Sequence, residues 1–325
     1  MQIKLYGKKS RFGYYLIIAS AALSALLHVL SKPMMEIGPN QIEINPIFMT
    51  FIIYLVCSIF FTPIARKTDS FSNFSQKDIF FMIMIGLAEV SALAAYFFGL
   101  NNSTAVNASL FINGEMIFSL IIAMVFFKER LKIKEYIPFS MIIIGMVFIP
   151  IANNLYLDGM NFEQIASGDL LILLSGLLYG IDITICKYVG DKYDARRVTQ
   201  ITSIFCAIIA LSFLVILEIP MDFELMSLPS IVIIGILGTG VSTLFFLAGL
   251  KLIGAVRTVL LYSTTSVFGI IFAGLFLSEE ITSIDIVSLV ITLTGIFFLR
   301  NKLADADSES HSVKKNTEKY LQFNK

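Results

Sequence analysis

Several residue types that mark common classes of protein are scarce or absent in this chain. Its 325 residues include no tryptophan, three cysteines and two histidines, and only 15% are charged, against roughly a quarter in a soluble domain. The three cysteines lie in apolar segments without paired spacing, so the sequence indicates neither a disulfide framework nor a zinc site. A Gly-rich phosphate loop is also missing, which excludes an ATP-driven pump. We therefore expect neither a metal nor a cofactor.

Apolar sequence is what the chain has in abundance. Hydrophobic residues make up 57% of it, and its mean hydropathy is +0.82. A helix needs roughly 20 apolar residues to cross about 30 Å of hydrocarbon. The sequence predicts ten such spans, and hence an all-α, polytopic membrane bundle; the fifth and tenth are short, so nine spans is the alternative. The predicted spans are 14–35, 46–64, 78–101, 105–127, 136–152, 168–189, 197–217, 227–252, 255–277 and 283–299.

The basic residues fall almost entirely on one side of the predicted bundle. If the N-terminus is cytoplasmic, 23 of the 24 Lys and Arg residues lie on the inner side, and only Lys32 lies outside. The outer loops carry acidic residues instead, among them Asp158 and Glu279. This bias satisfies the positive-inside rule. It predicts a multi-pass protein of the cell membrane with both termini in the cytoplasm, surrounded by lipid and without a nucleic-acid partner.

The predicted spans divide into two groups of five. We expect a basic cytoplasmic arm at 1–13, a first half at 14–152, an extracytoplasmic linker at 153–167 and a second half at 168–300. Residues 301–325 are polar and show no apolar period, which is typical of a disordered tail.

The two halves resemble each other in sequence. A shift of 150 residues aligns about a dozen identical residues of the third to fifth spans with the eighth to tenth, and a shift of 155 aligns the first span with the sixth. The identities include Gly99 with Gly249, Glu129 with Glu279, Gly145 with Gly295, Ser20 with Ser175 and Lys32 with Lys187. Because each half has an odd number of spans, the second copy enters the membrane inverted. Inverted repeats usually hold a substrate site near the midplane at their interface; two copies that only stabilise a bundle are the alternative.

Two long segments carry a resemblance to a known family. They are "LFINGEMIFSLIIAMVFFKERLKIKEYIPFSMIIIGMVFI" from the fourth span and "LYSTTSVFGIIFAGLFLSEEITSIDIVSLVITLTGIFFL" from the ninth. Together with the Ser and Lys pattern of the first and sixth spans, they resemble the ten-helix EamA family of the drug/metabolite transporter superfamily. The resemblance implies a secondary transporter, an exporter of small polar metabolites such as amino acids, with a homodimer as a further expectation. Many members have a proline where this chain has Met116 and Ser266, so a proline kink is not expected.

Three acidic residues lie near the middle of predicted spans: Glu89, Glu115 and Asp182. A charged side chain at the bilayer centre costs roughly 2.5–3.5 kcal/mol, so such residues usually face a protein interior or an aqueous path. We expect Glu115 to be a proton site or a ligand for a substrate ammonium group. We expect Glu89 and Asp182 in or near the wall of the same cavity. The structural alternative is a protonated carboxyl group that hydrogen-bonds a neighbouring helix.

Five further residues complete the predicted pathway: His28, Tyr96, Asn107, Tyr179 and Thr265. His28 is the only histidine within a predicted span, and an imidazole can relay protons near neutral pH. Tyr96, Asn107 and Tyr179 each share a helical face with one of the three acids. Thr265 occupies the position that is equivalent to Glu115 in the second half. Structural hydrogen bonds and core packing are the alternatives. We expect the first, third, fourth, sixth, eighth and ninth spans to line the cavity.

Two other classes of function compete with transport. An intramembrane zinc protease needs two histidines near a Glu, and a serine protease needs a nucleophile motif such as Gly-x-Ser-x-Gly; the sequence has neither. A paired-aspartate protease needs a second membrane Asp beside Asp182. We therefore expect that the protein is not an enzyme. A channel without transport coupling is the remaining alternative, although repeated polar rings are missing.

Overall fold

The computed structural model describes residues 2–35, 44–65, 74–126, 133, 136–145, 162–190, 192–222 and 227–298. Within these ranges the chain is all-α, without any strand, as the sequence predicts. Six helices there are long and apolar enough to cross a membrane, which confirms the helical membrane class. Those six are Phe12–Met35, Pro46–Ala65, Gln76–Leu100, Gly168–Gly190, Ala195–Ile216 and Leu228–Ile253.

The helices follow the predicted spans with local differences. In chain order they are α1 Gln2–Met35, α2 Pro46–Ala65, α3 Gln76–Leu100, α4 Ala105–Phe111, α5 Gly114–Phe126, α6 Tyr136–Ile143, α7 Phe162–Gly190, α8 Ala195–Ile216, α9 Leu228–Ile233, a π segment Ile234–Val241, α10 Ser242–Ile253, α11 Ala255–Tyr262, α12 Thr265–Phe276 and α13 Ser283–Phe298. The arm predicted at 1–13 is continuous with α1, and α7 begins within the predicted linker. Glu129, the end of the fifth span and the tail at 301–325 lie outside the described residues.

The fourth and ninth predicted spans are each split into two short helices. Ile112 and Asn113 separate α4 from α5, and Ser263 and Thr264 separate α11 from α12. At both places backbone N–H groups donate to carbonyl oxygens three residues earlier, at N···O distances of 3.0–3.3 Å, as in a 3₁₀ turn. The two interruptions therefore tighten the helix rather than open it, and neither contains a proline.

The eighth predicted span contains the π segment between α9 and α10. Glycines bring this segment against two neighbouring helices. A Cβ on Gly238 would lie 2.7 Å from Leu27 Cβ in α1, and one on Gly240 would lie 2.7 Å from Phe61 Cε2 in α2. Since real Cβ atoms do not approach so closely, glycine is needed for this packing. Short π segments inside helices are frequent at functional sites.

Polar contacts at one end of the bundle join three separate helix ends. Glu279 follows α12, and its carboxylate accepts hydrogen bonds from the backbone N–H groups of Ala105 and Val106 at the start of α4, both at 3.0 Å. Lys32 near the end of α1 donates to the same carboxylate at 2.7 Å. We call this group the Glu279 clasp. A carboxylate is well placed there because the start of a helix carries unpaired N–H donors and partial positive charge.

A second polar group lies at the start of α3. Asp78 accepts hydrogen bonds from Lys192 Nζ at 2.8 Å and from the Tyr193 hydroxyl at 2.7 Å, and from the Ser75 hydroxyl at 2.6 Å. We call these residues the Asp78 cluster. They tie the start of α3 to the loop between α7 and α8. Because α3 runs from this cluster towards the end that holds the Glu279 clasp, the two groups lie at opposite ends of the bundle.

The same close glycine contact occurs twice, with the roles of the two halves exchanged. A Cβ on Gly99 in α3 would lie 2.7 Å from the Gly168 carbonyl oxygen in α7. A Cβ on Gly249 in α10 would lie 3.4 Å from the Gly13 carbonyl oxygen in α1. The 150-residue shift pairs Gly99 with Gly249, and the 155-residue shift pairs Gly13 with Gly168. The contact of the third span with the sixth therefore repeats as the contact of the eighth with the first.

The fifth and tenth spans show the same exchange. A Cβ on Gly145 would lie 2.8 Å from the Ser288 carbonyl oxygen, and one on Gly295 would lie 2.7 Å from the Pro138 carbonyl oxygen. The 150-residue shift pairs Pro138 with Ser288 and Gly145 with Gly295. Gly145 thus packs on Ser288 and Gly295 packs on Pro138. The two contacts are equivalent under the repeat shift.

Candidate functional site

A cavity of about 90 Å³ lies among the helices in the middle of the bundle. Its wall is built by α1, α2, α3, α7, the π segment, α10 and the two interrupted spans. The lining residues are Ser24, Leu27, His28, Tyr54, Glu89, Leu93, Ile112, Asn113, Glu115, Met116, Tyr179, Asp182, Ile183, Gly238, Thr239, Ser242, Phe246, Tyr262, Ser263 and Thr265. All six predicted spans contribute, and α2 joins them through Tyr54.

The three mid-span carboxylates converge on this cavity, in different local settings. Glu89 lies beside the Tyr54 hydroxyl and accepts a hydrogen bond from Cys206 Sγ at 3.5 Å. Asp182 accepts from Cys186 Sγ at 3.6 Å, a weak donor on the next helical turn. Glu115 lies at the first turn of α5, and its carboxylate has no hydrogen-bond donor among the described residues. Of the three acids, Glu115 therefore depends most on a bound group or a proton to compensate its negative charge.

Hydroxyl and imidazole groups form another part of the wall. Tyr262, Ser24 and Ser242 line it together, and Ser24 Oγ lies 3.3 Å from His28 Nε2. The other ring nitrogen, His28 Nδ1, is buried and has no hydrogen-bond partner among the described residues. Thr239 Oγ1 is buried and unpartnered in the same way. Two buried polar atoms of the wall thus lack a hydrogen-bond partner among the described residues.

Six of the eight predicted pathway residues line the cavity: Glu89, Glu115, Asp182, His28, Tyr179 and Thr265. Tyr96 lies behind the wall, where its ring packs on the His28 ring with centroids 4.2 Å apart. Asn107 lies in α4 near the Glu279 clasp and does not contribute to the lining. The tight turn at Ile112 and Asn113 lies between it and Glu115.

Tyr54 and Asn113 are among the lining residues that were not singled out from the sequence. Tyr54 occupies a uniformly apolar span, and nothing in its neighbours distinguishes it from a core tyrosine. Asn113 lies in the turn between α4 and α5. Its position next to Glu115 is the signal that could have identified it.

Many lining residues are equivalent under the two repeat shifts. The pairs are Ser24 and Tyr179, Leu27 and Asp182, His28 and Ile183, Glu89 and Thr239, Ile112 and Tyr262, Asn113 and Ser263, and Glu115 and Thr265. Both members of each pair line the same cavity. A cavity assembled from equivalent positions of both halves lies where the halves meet.

The cavity is acidic. Among the described residues that line it, none is Lys or Arg, while three carry carboxylates. No group of three or more His, Cys, Asp or Glu residues in the described part of the chain could hold a metal ion. The two ion pairs that join helix ends lie outside the cavity, in the Glu279 clasp and the Asp78 cluster. Hydrogen bonds from Lys192 to Asp78, and then to Tyr188, raise the pKa of the Lys192 ammonium group above its ordinary value.

Comparisons with known proteins agree with this architecture. The model of the EamA-like transporter family matches residues 11–150 and again residues 166–301. An uncharacterized transporter of Methanothermobacter thermautotrophicus is 25% identical over 302 residues, which cover 89% of this chain and 86% of that protein. A chain of known crystal structure superposes with a TM-score of 0.64 at 16% identity, covering 91% of this chain and 99% of the other. At that identity the likeness shows the fold alone.

Proposed function

Because the chain belongs to the EamA-like transporter family, we propose that it is a secondary active transporter that exports small polar metabolites, such as amino acids, by alternating access. The observation that carries this proposal is the cavity in which Glu89, Glu115 and Asp182 converge. Carboxylates are costly inside a membrane and persist where they bind a solute or carry protons. The lining hydroxyl groups supply further polar partners for the solute.

We propose ten spans arranged as two inverted repeats, with the cavity at their interface. Three observations support this arrangement: the exchanged glycine contacts, the two separate matches of one family model, and the lining residues that pair under the repeat shifts. Transporters built in this way expose a midplane site to each side in turn as one repeat rocks against the other. The Lys and Arg distribution supports cytoplasmic termini in the cell membrane.

In this orientation the Glu279 clasp lies at the outer end and the Asp78 cluster at the inner end. The clasp joins the ends of the first, fourth and ninth spans, all of which line the cavity. Opening a path to the outside requires these spans to separate there. We assign the clasp the role of an outer gate that is formed when the site faces inwards.

Glu115 is the residue to which we assign proton coupling. It is 8% exposed, lines the cavity and has no hydrogen-bond donor among the described residues, so either a proton or the solute must compensate its charge. Binding of one then displaces the other. Such competition on a single carboxylate couples solute movement to an opposite movement of protons.

Purified protein in liposomes tests the proposal. A screen of amino acids and related metabolites, with and without a pH gradient, should identify a solute whose uptake depends on the gradient. Glu115→Gln should abolish gradient-driven uptake, while solute exchange should persist at higher solute concentrations, because the amide keeps the shape of the side chain but can neither release a proton nor compensate a positive charge. The control Glu280→Gln changes an exposed acid beside the clasp and should transport normally. If Glu115→Gln retains both activities, Glu115 does not couple transport to protons.

A further inference from the structure

We propose that the solute recognised by the cavity is a small organic cation, an amine without a carboxylate group. This proposal rests on the transport function proposed above and narrows its substrate class to amines, which excludes the amino acids given there as an example. Among small metabolites, amines, zwitterionic amino acids and anions place very different charges in the site. The described wall distinguishes between these three classes through four of its features.

The first feature is the sign of the charge. Glu89, Glu115 and Asp182 all line the cavity, and the described lining contains no Lys or Arg that could pair with an anionic group. Asp182 lines the same small cavity as both glutamates. An ammonium group compensates negative charge on these carboxylates. The carboxylate of an amino acid would add a further negative charge, and unpaired like charges select strongly against a ligand.

The second feature is the use of the backbone donors. The interrupted spans present two helix starts to the cavity, and a helix start is the usual partner of a substrate carboxylate in transporters. Here the N–H groups of Glu115 and Met116 donate to carbonyl oxygens within their own turn, as do those of Ser266 and Val267. These four donors are therefore occupied and are not open to a substrate carboxylate.

The third feature is a pair of unpartnered polar atoms, of which His28 Nδ1 is an acceptor in the tautomer that carries its proton on Nε2. His28 Nδ1 and Thr239 Oγ1 are buried in residues that are each 6% exposed, and neither has a hydrogen-bond partner among the described residues. Both residues line the cavity with Glu115. An ammonium group has three N–H donors. One carboxylate, one imidazole nitrogen and one hydroxyl oxygen are the acceptors that would satisfy them.

The fourth feature is the aromatic part of the wall. Tyr54, Tyr179, Tyr262 and Phe246 line the cavity, and the Phe246 and Tyr262 rings meet edge to face with centroids 5.0 Å apart. Aromatic faces attract desolvated cations. The cavity volume of about 90 Å³ holds several waters, at roughly 10–15 Å³ for each. The wall therefore suits a compact amine with a short hydrocarbon portion.

Binding measurements with matched solutes test this inference separately from transport. Three amines would be compared with the amino acids that carry one additional carboxylate: ethanolamine with serine, isoamylamine with leucine, and tyramine with tyrosine. The N-acetyl form of each amine removes the positive charge. Binding of the radiolabelled compounds to the detergent-purified full chain would be measured at neutral pH. At least one amine should bind roughly 10- to 100-fold more tightly than its two relatives, as expected when a buried charged partner is lost.

Substitutions then locate the bound amine. Glu89→Gln, Glu115→Gln and Asp182→Asn should each weaken amine binding, with the largest effect at Glu115, and the exposed control Glu280→Gln should not. Size-exclusion profiles identify variants that fail to fold, and the comparison of matched solutes on the unaltered protein needs no variant. The inference is overturned if an amino acid binds as tightly as its amine, or if no amine binds.

Counterflow measurements in proteoliposomes separate a failure of this inference from a failure of the proposed transport function. If amines bind selectively but show no counterflow in proteoliposomes beyond that in protein-free liposomes, the transport proposal fails and the cation site stands. If amino acids show counterflow and amines do not, the transport proposal stands and the cation site is wrong.

Discussion

The proposed outer gate can be tested by weakening the Glu279 clasp without changing its shape. Glu279→Gln keeps the size of the side chain and removes its charge. The carboxylate accepts from two backbone N–H groups at 3.0 Å each and from Lys32 at 2.7 Å. An amide oxygen retains one neutral acceptor, while the amide NH₂ group turns a donor towards partners that are donors themselves. The clasp should therefore loosen without a cavity or a steric clash.

The size of the effect follows from the number and exposure of these contacts. Hydrogen bonds to charged groups contribute roughly 1.5–3 kcal/mol each, against about 0.5–1.5 kcal/mol for neutral ones. The side chains of Lys32 and Glu279 are 13% and 16% exposed, so screening by solvent reduces the gain but does not remove it. A net loss of about 1–2 kcal/mol corresponds to a roughly 5- to 30-fold larger equilibrium constant for opening.

Accessibility of the cavity from outside reports this opening. A reporter cysteine at Thr239 lines the cavity, and a membrane-impermeant cationic thiol reagent added to intact cells reaches it only through the outer path. Its labelling rate should rise roughly 5- to 30-fold in the Glu279→Gln background, if opening limits the reaction. Protein without the reporter corrects for the three native cysteines, and the neighbouring change Glu280→Gln is the matched control. An unchanged labelling rate in Glu279→Gln would show that the clasp is not a gate.

Three other predictions address packing, topology and pH. Gly99→Ala should lower the unfolding midpoint more than Gly249→Ala, because its Cβ meets the backbone of α7 whereas that of Gly249 first meets the end of a flexible Ile side chain; equal losses would contradict this difference between the two contacts. A cysteine at Asp158 should react with an impermeant reagent in intact cells and one at Lys132 should not, and the reverse pattern would refute the orientation. The pKa of Lys192 is raised in the folded protein, so the stability that it contributes is complete below the ordinary lysine pKa and is lost as pH rises through the raised value. The unfolding midpoints of the native chain and Lys192→Gln should therefore converge only in strongly alkaline buffer, and convergence near neutral pH would show that the contact does not stabilise the fold.

The sequence predicts the helical membrane class because length and apolarity alone decide it. It also predicts which side chains meet, because a carboxylate in the middle of an apolar span has few acceptable surroundings. This reasoning brings Glu89, Glu115 and Asp182 to one cavity, as the structure has them. It fails for Asn107, because the stripe that links it to Glu115 assumes a continuous helix. The 3₁₀ turn between them depends on tertiary packing, for which the sequence offers no proline as a signal.

The π segment and the role of Tyr54 could not be predicted from the sequence, because both depend on contacts between helices. Residues 234–241 read as an ordinary apolar helix with several glycines, and π geometry arises from how closely those glycines approach α1 and α2. Tyr54 is polar only at its hydroxyl, so its part in the cavity becomes apparent when Glu89 is found beside it. In both cases the deciding contact is between helices far apart in sequence.

The two halves retain the same packing and differ in their charges. Glycines occupy equivalent positions at the helix contacts of both halves, where a Cβ would clash. In the cavity, by contrast, Glu89 and Glu115 are paired under the repeat shift with Thr239 and Thr265, and Asp182 is paired with Leu27. Because both members of each pair line one cavity, a symmetric set of acids would double the number of carboxylates in a small buried volume. Their mutual repulsion and desolvation would oppose folding. A single set is enough for a site that both repeats share, so close packing favours the symmetry of the scaffold and electrostatics favours the asymmetry of the site.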